Sequence, residues 1–394
     1  MRVCVLADDL TGAAEIAGIG LRYGLATRLV REPAGPCGDG LTVVDTDSRS
    51  LAPADAAERV RQALLPAGAA GATGTLFFKK TDSVLRGPLL VELEAAMAAL
   101  GKTRVLLVPQ NPSRGRTVRA GRYAIDGVAL DQTSFAYDPE YPRHTAQVLD
   151  LLGRSSLTPT QVIEPGENMP ERGILFGGAE HADDVAAWAA RLDGQTLPAG
   201  GADFFQAFLE HAGLIPVPLP RCEPGGGRVL AVCGSASAPG RQAVAQAQRD
   251  GAPVCAMPDA VFASPHTEAQ ALESWCADIV RALQTQQRAV IALCQPIALD
   301  PSRPQRLTER VADVVARVLA ACKVDELLLE GGATASAIVR RMGWHAFAVC
   351  GELAPGVVQM RAAAGSAPLL TLKPGSYPWP AGLDEITSRN ITPR

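Results

Sequence analysis

Charged and hydroxyl side chains cluster directly after short apolar segments in the first half of the chain. Two aspartates follow the first segment, and similar groups follow the segments that end near residues 44, 79 and 108. The residues are Asp8, Asp9, Thr11, Asp45, Asp47, Ser48, Arg49, Lys80, Asp82, Ser83, Arg86 and Arg116. Carboxylates accept hydrogen bonds from hydroxyl groups, and Lys and Arg bind carboxylates. Such a mixture suits a small, polar, anionic ligand.

A structural interpretation competes with this one at each aspartate taken singly. Asp9 is placed to cap a helix whose first turn contains Thr11, and Asp82 or Ser83 can cap a later turn. Capping explains any one of these residues as well as ligand binding does. The same polar character at four segment ends favours a ligand site.

Small residues take the corresponding places in the second half. Residues 233–237, 330–335 and 373–376 each follow an apolar segment, and residues 351–356 are expected to form a further tight turn. Small residues between a strand and a helix let a phosphate approach backbone N–H groups and the helix dipole. The stretch 331–335 lacks a Walker lysine, and sharp turns need glycine in any case. The pattern therefore suggests nucleotide phosphates without establishing them.

The segments that carry these residues alternate between apolar runs and helical patterns. Apolar runs at 2–7, 41–44 and 76–79, and again at 229–232, 326–329 and 369–372, predict strands. This alternation is typical of parallel sheets covered on both faces, in which ligands bind at the carboxyl ends of the strands. We therefore expect an α/β fold in which the polar residues share one edge of a sheet.

A linker is predicted between two domains. Residues 213–228 contain prolines at alternate positions and a triple glycine, a composition typical of linkers. The predicted domains are residues 1–212 and 229–394, each a mainly parallel sheet flanked by helices.

Composition argues against several classes of partner. The 394 residues carry a net charge of −4 and no basic run, whereas nucleic-acid binding needs a basic surface. No apolar stretch approaches the about 20 residues of a membrane span. The nine cysteines occur singly, and the five histidines are dispersed, which argues against a zinc site. We expect a cytoplasmic protein with no nucleic-acid or membrane partner, and a homodimer on base rates alone.

Together the motifs resemble the four-carbon acid sugar kinases, which phosphorylate tetronates with ATP. The most specific match is Lys-Lys-Thr-Asp-Ser-Val-Leu-Arg-Gly at residues 79–87. Further matches lie at residues 7–13, 45–49, 115–117, 127, 138–139, 234–235, 331–334, 351–356 and 373–375. The resemblance covers nearly the whole chain, and its first-half motifs are the more distinctive.

The resemblance implies an N-terminal domain that binds the sugar acid and a C-terminal domain that binds ATP with Mg²⁺. The residues implied to bind the nucleotide are Ser235, Gly331, Gly332, Ala333, Thr334, Gly351, Gly356, Lys373 and Gly375. Two places depart from the family pattern. Ala333 stands where the family usually has an acidic residue, and Pro-Gly-Ser-Tyr at residues 374–377 replaces a Gly-Gly-Phe-Gly-like run.

The implied reaction transfers a phosphoryl group to the terminal hydroxyl of threonate, erythronate or 3-oxo-tetronate. Lys80 and Arg86 would hold the substrate carboxylate, and Asp8 or Asp9 would accept the hydroxyl proton. The middle hydroxyls would contact Asp45, Asp82 and Arg49. Closure of the two domains about the linker would exclude water.

Two other functional classes stay open from the sequence. A non-catalytic sugar-acid sensor would bind the ligand without consuming ATP. An oxidoreductase is the less favoured rival, because no G-x-G-x-x-G sequence follows the first strand.

Overall fold

The computed structural model describes residues 1–31, 37–65, 74–138, 140–155, 157–219, 227–234, 237–263, 269–294, 303–363, 365, 367–380 and 387. The chain divides into two compact units, Met1–Pro218 and Leu219–Arg394. The division falls within residues 213–228, the predicted linker, of which 220–226 lie outside the described residues. No helix among the described residues is both long and apolar enough to cross a membrane.

The first unit contains eleven strands and six α-helices within the described residues. The strands are β1 (Arg2–Ala7), β2 (Thr27–Val30), β3 (Gly40–Asp45), β4 (Thr75–Lys80), β5 (Arg104–Val108), β6 (Arg116–Arg119), β7 (Arg122–Ile125), β8 (Val128–Ala129), β9 (Thr160–Ile163), β10 (Gly173–Gly177) and β11 (Thr196–Gly200). The helices are α1 (Leu10–Arg22), α2 (Pro53–Leu64), α3 (Leu89–Ala99), α4 (Val148–Leu152), α5 (Ala182–Ala189) and α6 (Ala202–His211).

The main strands of the first unit run parallel in the order β2-β3-β1-β4-β11-β5-β10-β9. From β1 the chain passes to the outermost strand β2, returns to β3 beside β1, and then crosses to the other side of β1 to form β4. In an open parallel sheet, such a reversal leaves a crevice at the carboxyl ends of the strands. The predicted polar residues follow β1, β3 and β4, the three strands at this reversal, except Arg116, which lies beyond β5.

Helix α1 packs closely on this part of the sheet because its sequence is rich in small residues. Its residues from Leu10 to Leu21 are buried. At Gly20, an added Cβ would lie 2.3 Å from Leu41 Cδ2, so glycine permits the helix to approach β3. The carboxylate of Asp9 caps the helix by accepting a hydrogen bond from Gly12 N at 2.8 Å. The capping interpretation of Asp9 is therefore confirmed.

Strand β11 lies between β4 and β5, although its sequence Thr-Leu-Pro-Ala-Gly does not resemble a central strand. Pro198 has no N–H to donate, and β11 pairs with β4 only through the two residues that follow it, Ala199 and Gly200. The sequence patterns also gave no sign of the antiparallel sheet β6-β7-β8. That sheet and the 3-10 turns Leu130–Gln132 and Ser134–Tyr137 belong to an insertion after β5.

The second unit also contains a mainly parallel sheet whose strands lie on both sides of its first strand. Its strands are β12 (Val229–Cys233), β13 (Val254–Ala256), β14 (Arg288–Ala292), β15 (Glu326–Glu330), β16 (Ala346–Ala354), β17 (Val357–Ala362) and β18 (Leu369–Lys373). Its helices are α7 (Ala238–Arg249), α8 (Asp259–Ala263), α9 (Ala269–Gln286), α10 (Arg303–Ala321) and α11 (Gly332–Arg341). The strand order is β13-β14-β12-β15-β18-β17-β16, parallel through β18 and antiparallel beyond it. The predicted α/β class, with mainly parallel sheets flanked by helices, is confirmed.

The prediction of a tight turn at residues 351–356 is wrong in its extent. Residues up to Ala354 continue β16, and only Pro355 and Gly356 form the turn into β17. Burial alternates from residue 346 to residue 351, as in a strand with one covered face, and the glycine at 351 lies at a register shift. Glycine in this stretch therefore marks a β-bulge rather than a strand-to-helix junction.

Candidate active site

The guanidinium of Arg49 lies among three carboxylates. Its Nε donates to Asp8 Oδ2 at 2.8 Å, and its Nη1 donates to Asp9 Oδ2 at 2.9 Å. Its Nη2 lies 3.7 Å from Asp82 Oδ1. Burial alone would lower the pKa of Arg49, but the three carboxylates outweigh burial and raise this pKa well above its usual value. Arg49 is thus a fixed cation that ties together the chain after β1, β3 and β4.

Backbone hydrogen bonds hold the segments after β1 and β3 side by side. The carbonyl oxygen of Asp8 accepts from Ser48 N at 3.0 Å and from Arg49 N at 3.2 Å. The hydroxyl groups of Thr46 and Ser48 lie 2.7 Å apart, and Thr46 Oγ1 donates to Ala7 O at 2.8 Å. Backbone contacts therefore fix the position of Arg49 independently of the ion pairs that its side chain makes.

Asp82 organises the loop after β4. Its Oδ1 accepts from Arg86 Nη2 at 2.8 Å, and its Oδ2 accepts from Arg86 Nε at 3.0 Å and from Val84 N at 3.2 Å. Burial alone would raise the pKa of Asp82, but Arg86 and Arg49 hold it well below the usual range. Arg86 Nη1 also donates to Asp138 Oδ2 at 3.2 Å. Asp82 and Arg86 are therefore committed mainly to each other.

The insertion after β5 supplies one wall of the site. Phe135 lies beside two cations, with the guanidinium carbons of Arg86 and Arg116 each 5.9 Å from its ring centroid. Tyr141 donates its hydroxyl proton to Arg49 O at 2.6 Å. Arg116 donates a hydrogen bond to the hydroxyl of Ser83. The structure thus brings Ser83 and Arg116 together with Arg86, as their assignment to one site predicts.

The two lysines that end β4 point to opposite faces of the sheet. Lys79 is fully buried and pairs with Glu92 of α3 at 2.8 Å. Lys80 lies on the α1 side, where its Nζ donates to Thr81 O at 2.9 Å and is 3.6 Å from Glu15 Oε2. Only Lys80 can therefore face the candidate site, and Glu15 is a partner that the sequence patterns did not reveal.

Asp45 and Asp47 share a different cation, Arg31, which sequence reasoning missed. Arg31 Nε donates to Asp45 Oδ2 at 3.0 Å, and Arg31 Nη2 donates to Asp47 Oδ2 at 2.6 Å. Asp45 Oδ1 accepts from Asp47 N at 3.0 Å. Burial, with a further contribution from the Asp47 charge, raises the pKa of Asp45 to about 7. Arg31 directly follows β2, the strand next to β3. It belongs to none of the sequence motifs, so pattern reasoning could not find it.

In the second unit, small residues stand at the carboxyl ends of β12 and β15. Gly331 has φ 94°, a left-handed conformation that favours glycine, and it precedes the first turn of α11 without a side chain to cap it. At Gly234, an added Cβ would lie 2.0 Å from Thr334 Oγ1. The backbone N–H groups of Gly332 and Ala333 therefore lie in the first turn of α11, and Gly234 packs closely against that turn. This arrangement is a recurrent anion-binding geometry.

Lys373 ends β18 and is fully buried against Glu330 of β15. Its Nζ lies 3.2 Å from Glu330 Oε2 and donates to Pro374 O at 2.9 Å and to Tyr377 O at 2.5 Å. Trp379 Nε1 donates to the same Glu330 oxygen at 2.8 Å. An ammonium group has three donors, so these contacts account for all of them. Lys373 thus stabilises the turn at residues 374–377.

Desolvation acts on both members of this pair. Burial raises the pKa of Glu330 and lowers the pKa of Lys373, because each charged form loses its contact with water. The charge of each residue shifts the pKa of the other in the opposite direction, but the effect of burial remains the larger one. Such a pair costs stability to bury and is best explained by the loop geometry that it fixes.

We next locate the other residues that the sequence predicts to bind the nucleotide. Gly375 O accepts from Ser237 Oγ, the cap of α7, at 2.6 Å. Gly356 lies in the turn between β16 and β17, near the carboxyl end of β18 by the strand register. Gly351 lies within β16, away from the turn. Ser235 lies outside the described residues.

Comparison with known families assigns a type to each half of the chain. Residues 3–195 match a family described as a sugar-binding N-terminal domain, and residues 230–377 match one described as a nucleotide-binding C-terminal domain. A D-threonate kinase of Bordetella bronchiseptica is 33% identical over 396 residues, which cover 97% of this chain and 92% of that protein. A D-threonate kinase of Salmonella typhimurium is 26% identical over 90% of each chain. A 3-oxo-tetronate kinase of Methylobacterium radiotolerans is 29% identical over 95% of each chain.

Solved structures share the fold. A crystal structure from Salmonella typhimurium has a TM-score of 0.75 and 20% identity, and the alignment covers 95% of this chain and 96% of the other. A Haemophilus influenzae protein has a TM-score of 0.68 and 19% identity over 97% of each chain. At these identities the likeness concerns the fold alone.

We expect replacement of Arg49 by Met to lower the free energy of unfolding by about 3 to 5 kcal/mol, because three neighbouring carboxylates would lose their shared cation. Urea denaturation measures this change. The matched control is Arg61→Met, which removes an exposed ion pair with Glu58 and should cost less than about 1 kcal/mol. Similar losses for the two variants would contradict the central role of Arg49.

The raised pKa of Asp45 predicts a pH-dependent stability. Its pKa is about 7 in the folded chain, against an ordinary value of 3.8, so the folded state holds a proton that the unfolded state releases. The wild type should therefore lose stability relative to Asp45→Asn as the pH rises from about 4 to 7, by roughly 1 kcal/mol per pH unit. Urea denaturation of both proteins at pH 5, 6, 7 and 8 measures the difference. A difference that does not change with pH would disprove the raised pKa.

Proposed function

This chain belongs to the four-carbon acid sugar kinase family, and on that premise we propose that it transfers the γ-phosphoryl group of ATP to a hydroxyl of a four-carbon sugar acid. The observation that carries the proposal is the set of acids and cations that Arg49 gathers after β1, β3 and β4. This set lies in the half of the chain that matches a sugar-binding domain.

Arg116 is the best candidate to hold the substrate carboxylate. Arg86, the residue favoured by sequence motifs, already makes a two-point contact with Asp82 and a third with Asp138. Arg116 donates to Ser83, and its other N–H groups have no hydrogen-bond partner among the described residues. A guanidinium has five donors in a planar fork that matches a carboxylate. Lys80 keeps a supporting role through its positive charge beside α1.

The structure of the second unit suits the binding of a nucleoside triphosphate. The uncapped start of α11 presents backbone N–H groups from residues 332 and 333, and the left-handed Gly331 leaves no Cβ in front of them. We assign the phosphates to this turn and to Gly375. When bound, ATP supplies the phosphoryl group. Lys373 acts indirectly, because its ammonium group holds the turn after β18.

Four finer expectations belong to the same proposal. Mg²⁺ would accompany the ATP phosphates, whose charge it neutralises in phosphoryl-transfer enzymes. A cytoplasmic location and a homodimer stay predictions, the second of which sedimentation velocity would test. The phosphorylated group is proposed to be the terminal hydroxyl.

The test is a coupled assay of ADP release with Mg-ATP and a panel of tetronates. The panel contains D- and L-threonate, D- and L-erythronate and their 3-oxo forms, with D-threonate first because two relatives carry that activity. We expect turnover with one member at about 1 to 100 s⁻¹, and no more than background without a sugar acid. Thermal stabilisation by a tetronate without any ADP release would contradict the kinase and favour a sensor.

A further inference from the structure

The two adjacent aspartates after β1 differ in how their oxygens are used. Asp9 Oδ1 accepts from Gly12 N at 2.8 Å, and Asp9 Oδ2 accepts from Thr11 Oγ1 at 2.6 Å and from Arg49 Nη1 at 2.9 Å. Its backbone angles, φ −146° and ψ 162°, are those of a residue that precedes a helix. Both oxygens of Asp9 are therefore occupied by contacts that begin α1.

Asp8 has one oxygen to spare. Its Oδ2 accepts from Arg49 Nε at 2.8 Å, whereas its Oδ1 is buried and has no hydrogen-bond partner among the described residues. The residue is 3% exposed. A buried carboxylate oxygen without a partner is costly, and in native proteins such an atom calls for a water or a ligand group. Asp8 Oδ1 therefore needs a hydrogen-bond donor that the described chain does not provide.

The backbone and Arg49 hold this oxygen in place. Asp8 O accepts from two backbone N–H groups, those of Ser48 and Arg49, while Asp8 Oδ2 is anchored on the Arg49 guanidinium. The carboxylate plane is thus restrained from both ends. A fixed acceptor at the carboxyl end of the central strand β1 is well placed to meet a ligand in the crevice at the reversal of strand order.

Other carboxylates of the site have no comparable atom. Both oxygens of Asp82 accept from Arg86, and its low pKa makes it a weak base. Asp45 has a pKa near neutrality, but one oxygen accepts from Arg31 and the other from Asp47 N. The acid with the raised pKa, Asp45, thus has both oxygens occupied, and geometry has to decide which acid meets the substrate.

We infer that Asp8 is the general base of the reaction and that Asp9 is a helix cap that positions Arg49. The inference rests on the proposed kinase function. The hydroxyl of the sugar acid donates to Asp8 Oδ1, and its proton passes to that oxygen as the hydroxyl oxygen forms a bond to the γ-phosphorus. The bond between the γ-phosphorus and the bridging oxygen breaks, and its electron pair leaves with ADP. Asp8 then releases the proton to water.

The test compares the same chemical change at neighbouring residues. Asp8→Asn should lower kcat by at least about 100-fold, with the KM for ATP changed by less than about threefold, because the proton acceptor is lost. The loss of one negative charge beside Arg49 is common to Asp8→Asn and Asp9→Asn. Asp9→Asn should lower kcat by less than about tenfold, because an asparagine side chain also caps a helix. Kinetics are measured with Mg-ATP and the tetronate that the wild type phosphorylates.

A second variant guards against an effect on folding. Asp8→Ala removes the whole carboxylate, and added formate can replace it as an external base. We expect formate to raise the turnover of Asp8→Ala at least about tenfold and to leave that of Asp9→Ala unchanged. Rescue of this kind depends on proton transfer and would not follow from a purely structural role.

The outcomes separate this inference from the proposed function. A wild type that phosphorylates a tetronate while Asp8→Asn keeps more than a tenth of its kcat would overturn the inference and leave the kinase standing. A larger loss in Asp9→Asn than in Asp8→Asn would also overturn it. A wild type without turnover on any tetronate would overturn the proposed function itself, and the inference with it.

Discussion

One cation shared by three acids is the interaction on which the first unit's site depends. Arg49 contacts Asp8 and Asp9 after β1 and lies 3.7 Å from Asp82 after β4. Without it, carboxylates from two neighbouring strands would repel each other in a largely buried place. With it, the acids can stand close enough to surround a polyhydroxy ligand. The positive charge that permits this arrangement is supplied by Arg49, whereas Arg116, which we propose to bind the substrate carboxylate, contacts Ser83 instead of these acids.

The two units carry opposite kinds of residue at equivalent places in their sheets. Each unit reverses its strand order beside its first strand, β1 or β12, and each places its distinctive residues just beyond the strands at that reversal. The first unit crowds charged side chains there, which suits hydroxyl and carboxylate groups. The second removes side chains, as at Gly331, so that backbone N–H groups can meet phosphate oxygens. The buried Glu330–Lys373 pair stabilises the neighbouring turn at residues 374–377.

Sequence patterns predicted the strands that carry the site because those strands are continuous apolar runs that end abruptly in polar residues. Strand β1 occupies the predicted residues 2–7. Patterns failed where a residue's role depends on a distant partner. Arg31 and Phe135 belong to no motif, and only the fold brings them beside Asp47 and Arg86. Pattern reasoning also left Asp8 and Asp9 equivalent, since the direction of a carboxylate oxygen is set by packing and backbone contacts rather than by residue type.

The most direct measurement is a crystal structure of the protein with the tetronate that it phosphorylates bound. We expect the ligand at the carboxyl ends of β1, β3 and β4, with a hydroxyl within about 3 Å of Asp8 Oδ1. We also expect the contacts of Arg49 with Asp8 and Asp9 to persist when the ligand is bound. A ligand bound elsewhere, or an Arg49 that leaves its carboxylates to bind the ligand, would contradict the claim that this cluster is a preformed site.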